Sequence, residues 1–231
     1  MKILALDTAT ENCSAALLID GQLTARERLL ERGHAECILP MIDEVLTAAD
    51  TSLAGLTAIA FGRGPGSFTG VRLAASVTQG LAHGAGIPVV PVSDLAAVAQ
   101  RMLGDAAGAE RVLVCNDARM REVYWGCFVR SAGDLAAPAG EERVSDPGAV
   151  ALPAAWTAGP GLYGAGTGFV AYPQLRTAFS AILTISELRP RAAEIALLAV
   201  PEITAGRLHS AEEALPVYLR DDVAHPPPGS H

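Results

Sequence analysis

Apolar and polar positions change their period along this chain, and each change marks an element. Lys2 to Leu6 is an apolar run that stops at Asp7-Thr8-Ala9-Thr10, which reads as a strand running into a turn. Ser14 to Ile19 is a second strand, Asp20-Gly21 a hairpin turn, and Gln22 to Leu30 a loosely alternating third strand. From His34 to Ala49 the spacing becomes helical, with Ile38, Ile42, Val45 and Ala49 on one stripe and Leu39 and Leu46 on a second. Pro40 falls in the first two turns, where a missing amide is better tolerated than in mid-helix. Leu56 to Phe61 is apolar and strand-like. Phe68 to His83 is helical again, with stripes Gly70-Ala74-Val77-Leu81 and Val71-Ala75-Thr78-Ala82. Both helices carry an apolar arc wider than one core contact needs. Either both are buried within one domain, or each turns one stripe to the core and one to another chain.

Between Leu56–Phe61 and the second helix lies Gly62-Arg63-Gly64-Pro65-Gly66-Ser67, a strand-to-helix turn. Ser67 is placed as N-cap. The turn reads either as a ligand-free connection or as an anion seat at a helix N-terminus. It is not a P-loop, because no Lys-Ser/Thr follows the last glycine and Lys2 is the only lysine in the chain. Ile87 to Val92 is a further strand, and Ser93 caps the helix that follows. Gly104 to Gly108 is a flexible joint and the candidate boundary between subdomains. Arg111 to Asn116 and Glu122 to Val129 are two strands joined by a polar turn. Residues 131–155 read as loops with one edge strand near Glu142. Gly164-Ala165-Gly166-Thr167-Gly168 is a weak dinucleotide signal, lacking a long strand before it and a timed acidic residue after it. Pro190 to Val200 is a short helix with Pro201 just past its end, and the last residues read as a disordered tail.

Composition narrows the chemistry. The 231 residues, half of them hydrophobic, suit one large domain or two small ones. A formal charge of −8 speaks against a stand-alone nucleic-acid binder. Cys13, Cys37, Cys115 and Cys127 form neither a CxxC nor a zinc spacing and read as reduced, buried thiols. The five histidines are scattered, with no HxxxH or HExxH. Asp7 interrupts the first apolar stretch after one strand length, so no signal peptide is expected, and no run is long enough to span a bilayer. A cytoplasmic location is the expectation.

Gly64-Pro65-Gly66-Ser67-Phe68-Thr69-Gly70-Val71-Arg72 resembles the signature of the TsaB (YeaZ) family. Asp117-Ala118-Arg119 with Glu122-Val123-Tyr124 resembles the family's second motif, and Pro216-Val217-Tyr218-Leu219-Arg220 its closing element. The resemblance covers nearly all of the chain to Arg220. It implies an actin-like ATPase (ribonuclease H-like) fold in two related subdomains, residues 1–105 and a reduced 106–220, with 221–231 as a tail. It also implies a non-catalytic subunit in tRNA threonylcarbamoyladenosine synthesis. That subunit would support the catalytic subunit TsaD, with the ATPase TsaE, meet tRNA only through the complex, and form a homodimer when alone.

On this resemblance the partner interface falls on Ile38, Leu39, Ile42, Leu46, Gly70, Val71, Ala74, Ala75 and Thr78. Asp7, Thr8 and Thr10 occupy the phosphate-facing turn of the fold, although Thr8 stands where a glycine is common. No intrinsic cofactor is implied; ATP or ADP would sit at that turn or at a partner interface. Asp117, Arg119 and Glu122 read as a solvated turn or as polar contacts to a partner or nucleotide. Asp94 and Val98 stand where catalytic relatives carry two metal-binding histidines. Two other functions stay open, a small-molecule kinase or ATPase of the same fold and an inactive peptidase homologue.

Overall fold

The computed structural model describes residues 1–157, 159–179 and 185–220; the expected tail at 221–231 lies outside them. Strands β1 (Lys2–Asp7), β2 (Asn12–Ile19) and β3 (Gln22–Leu29) form an antiparallel meander. Helix α1 (His34–Ala48) leads to β4 (Ala58–Gly62), which lies parallel to β1. Helix α2 (Phe68–Ala85) then leads to β5 (Val89–Val92), parallel to β4. The sheet order is β3-β2-β1-β4-β5. Helix α3 (Asp94–Asp105) crosses to the second half of the chain.

There the pattern repeats. Strands β6 (Arg111–Asp117), β7 (Val123–Arg130) and β8 (Ala136–Pro138) form an antiparallel set, with β9 (Arg143–Ser145) also paired to β7. Strand β10 (Leu162–Ala165) lies parallel to β6, and β11 (Ile185–Ser186) parallel to β10. The order β8-β7-β6-β10-β11 copies the first sheet in sequence and sense. Two such sheets in tandem are the actin-like architecture, and the second half is the smaller version. The long crossover helix of the first half is matched here by the short helices α4 (Gly168–Ala171) and α5 (Pro173–Ala178).

Two boundaries differ from expectation. Helix α6 (Ala192–Thr204) returns to the first sheet, burying Ala192, Ile195, Ala196 and Ala199 against Ile3, Ala5, Ala58 and Val90. The segment after it stays there, with His209 pairing with Val89. The second subdomain therefore ends near β11 rather than at residue 220. Pro201 lies inside α6, in its last turn, instead of past its end. The opposite face of the first sheet carries α1 and α2 over Leu4, Leu6, Leu17, Ile59 and Phe61.

Candidate functional site

The C-terminal ends of β1 and β6 face each other across a cleft between the two sheets, the position where open α/β sheets bind ligands. Its cavity is about 420 Å³. Thr10 and Glu11 line one side, Asn116, Asp117 and Arg119 the other, Ser67 and Phe68 one end, and Val217 to Arg220 the mouth.

The turn after β1 is closed. Asp7 and Thr8 are buried, and the Thr8 hydroxyl donates to the Gly70 carbonyl at 2.7 Å. The first turn of α2 packs directly on this turn. A methyl at Gly66 would stand 2.6 Å from the Ala9 carbonyl oxygen, and one at Gly70 would overlap that of Thr8. Ser67 caps α2 as expected, accepting from the Gly70 amide at 3.1 Å, and its own amide donates to the Ala9 carbonyl at 2.8 Å. The start of α2 thus packs directly on the turn after β1. Of the three residues expected to face a nucleotide, only Thr10 reaches the cleft, and its hydroxyl accepts from the Asn12 amide.

The second half repeats the device. Gly166, at φ +114, and Gly168 lie against the Cys115 carbonyl, so the glycine run serves close backbone packing of β10 on β6.

The polar turn between β6 and β7 ties the chain to itself. Asp117 accepts from Tyr172 at 2.9 Å and from Arg119 at 3.0 Å, and Arg119 also reaches Glu11 across the cleft at 3.2 Å. Glu122 pairs with Arg220 at 2.5 Å. The turn is exposed at Arg119, Met120 and Arg121, yet Arg119 and Glu122 tie it to Glu11 and Arg220, while Asp117 holds Arg119 and Tyr172 within the second half. Glu11, which takes one of these ties, went unmarked in the sequence because its partners lie more than a hundred residues away.

The expected interface residues are placed differently from expectation. Ile38, Ile42, Leu46, Gly70, Val71, Ala74, Ala75 and Thr78 are all buried in this chain's own core; Leu39 alone is exposed, at 51%. On the second stripe of α1 Leu46 joins the core and Leu39 stays open, while the second stripe of α2 is covered by the segment around Ala211 and Ala214. The apolar groups left open on α2 and beside it are Phe68, Tyr218 and Leu215. Arg72 lies over the Phe68 ring, 3.2 Å from its centroid.

Asp7 and Asp94 form a buried pair behind the cleft wall. Burial raises the Asp7 carboxyl to about 6, and burial together with Asp7 itself holds Asp94 well above the usual range. Burial also pushes the Cys13 thiol up to about 12, that of Cys127 to about 11, and that of Cys115 well above its ordinary value, so these three are not thiolate nucleophiles. Among the described residues no three His, Cys, Asp or Glu side chains gather as a metal site. Nor is any helix there long and apolar enough to cross a membrane.

These features define an actin-like chain of two repeated halves, with the turn after its first strand packed against the start of its own helix α2. Residues 27–155 match the family model TsaD, tRNA N6-adenosine threonylcarbamoyltransferase. Over 230 residues the chain is 42% identical to the tRNA threonylcarbamoyladenosine biosynthesis protein TsaB of Escherichia coli K12, covering 97% of this chain and 96% of that protein. It is 40% identical to TsaB of Haemophilus influenzae, covering 96% and 95%. Among solved structures it superposes on YeaZ from Pseudomonas aeruginosa with a TM-score of 0.85 at 43% identity, covering 94% of this chain and 99% of that one. The chain belongs to the TsaB family, whose members take part in tRNA threonylcarbamoyladenosine biosynthesis.

Proposed function

We propose that this chain is a non-catalytic subunit of the tRNA threonylcarbamoyladenosine machinery. It supports a TsaD-type subunit, together with TsaE, in transferring threonylcarbamoyl to N6 of the adenosine 3′ of the anticodon. The observation that supports this reading is the closed turn: Asp7 and Thr8 are buried and the start of α2 packs on them. The net charge of −8 supports contact with tRNA through the complex rather than alone. The partner surface is the exposed side of α1 and α2, where Leu39, Phe68 and Arg72 stand open, and the isolated protein uses the same side for a homodimer.

Reconstitution tests the reading. TsaD, TsaE, tRNA and the carbamoyl donor with this chain should form modified tRNA, and omitting the chain should abolish it. ATP turnover or tRNA modification by the chain alone would count against it. Leu39→Glu should leave stability unchanged and weaken the complex about tenfold or more, read by co-elution on a sizing column and by titration, because it buries an unpaired charge.

A further inference from the structure

Asp7 ends β1 and Asp94 starts α3, on either side of Gly62 at the end of β4. A methyl at Gly62 would stand 2.6 Å from Oδ1 of each, so both carboxyls crowd one point. Both side chains have zero exposure. Asp7 Oδ1 accepts from the Ala9 amide at 2.8 Å, and Asp94 Oδ2 from the Gly64 amide at 2.5 Å. The other two oxygens, Oδ2 of Asp7 and Oδ1 of Asp94, meet no donor among the described residues.

The groups facing the pair are His34 from α1, the Cys13 thiol from β2, and Glu142 from the segment before β9, itself 3.7 Å from Arg63. Of these, only His34 is placed to favour ionised Asp7, and none offsets two buried negative charges. One proton gives each orphan oxygen a partner, since a carboxylic acid offers one O–H donor to a neighbouring carboxylate.

The pair also sits at a junction. The Asp94 amide donates to the Gly64 carbonyl at 3.1 Å, which doubles the tie between α3 and the Gly64–Pro65 turn. That turn walls the cleft at Pro65 and Gly66, and the Arg63 carbonyl beside it accepts from the Val217 amide at 2.7 Å. Helix α3 packs in turn on β6 and β7 of the second half.

We propose that Asp7 and Asp94 hold one shared proton in the folded protein and act as an alkali-sensitive clasp. Losing the proton sets two buried carboxylates against each other, and their repulsion, outweighing the bond from the Gly64 amide to Asp94, parts the start of α3 from β1 and loosens the Gly64–Pro65 turn with it. The step is a simple acid dissociation: the O–H bond between the carboxyls breaks, the proton goes to solvent, and two facing carboxylates remain.

The test is carboxyl carbon-13 NMR of the full chain labelled at aspartate, together with amide hydrogen exchange at Gly64, corrected for the chemical rate at each pH. One aspartate carboxyl should still be titrating well above the ordinary carboxylate range, and protection at Gly64 should fall about tenfold or more as that carboxyl loses its proton. Asp94→Asn supplies a permanent amide donor to Asp7 and should keep protection flat over the same rise in pH. The proposal is overturned if every aspartate carboxyl finishes titrating in the ordinary acidic range, or if the Asn variant loses protection in parallel with the wild type. Should that variant fail to fold, the wild-type titration decides alone.

Discussion

Gly70 and Gly80 lie on the same helix and have opposite roles. A side chain at Gly70 would run into the Thr8 carbonyl and the Ser67 hydroxyl, and a backbone carbonyl cannot rotate away. Gly70→Ala should cost about 3 kcal/mol, read as a lower urea midpoint at unchanged slope. A Cβ at Gly80 meets nothing, so Gly80→Ala should add about 0.5–1 kcal/mol by helix propensity alone. The sequence marks both as glycines on a helix; only the packing of residue 8 on residue 70 tells them apart.

Asp7 was visible as a turn carboxylate, but its pairing with Asp94 joins positions 87 residues apart and left no local trace. The pairing sets a pH dependence of definite sign. The folded value of Asp7, about 6, lies above its ordinary 3.8, so its contribution is full below the ordinary value and is lost as pH rises through about 6. Stability should therefore fall by about 3 kcal/mol across that window, and the direction of the Asp94 shift carries the decline further up. The lowered carboxyls of Glu202, Glu212 and Glu213 oppose this, but they are exposed and screened by salt. Denaturant unfolding at high ionic strength should isolate the decline, and Asp94→Asn should remove its upper part while leaving the Asp7 window, which burial sets.

At the scale of elements, hydrophobic pattern located the long helices and most strands within a few residues, because α1 and α2 keep a polar face and the inner strands, buried on both faces, read as continuous apolar runs. It failed on α5, β8 and β11, which are two to six residues long and too short to show a period. It left the wide arcs of α1 and α2 open between this chain's core and another chain. Leu46 and the second stripe of α2 join the core, the latter under residues 211–214, and a helix's own spacing cannot say whether its neighbour belongs to the same chain. The turn after β6 hid a different feature. Arg119, Met120 and Arg121 all adopt left-handed backbone, at φ 61, 52 and 64, which no residue type there foretold. Met120 is 79% exposed, and shortening it gives up a weak contact of its sulfur with the Arg220 guanidinium at 3.4 Å. Met120→Gly should relieve the strain and raise the unfolding free energy by about 1 kcal/mol, measurable by urea titration.

On the scale of the whole molecule, the two sheets are held in line by a few long-range ties around the cleft. Glu11 bridges Arg119 and Arg189, and Glu142 meets Ser93 and Arg63. The third tie is the segment after residue 213, which lies along α2 through Gln79 and the Ala214 carbonyl, donates from the Val217 amide to Arg63, and ends with Arg220 on the β6–β7 turn. Arg220 reaches Glu122 and the Ala118 carbonyl while mostly out of solvent, so its bonds are charge-assisted and weakly screened. Arg220→Ala removes both, leaves Glu122 without its cation, and lets the strap lift from the second half while its grip on α2 stays intact. The unfolding free energy should drop by about 2 kcal/mol. Limited proteolysis should cut first after residue 213 and in the 118–122 turn, ahead of either sheet. Uniform cleavage, or an unchanged pattern, would mean that the cleft is held without the strap, by Glu11, Glu142 and the packing of α3 on β6 and β7.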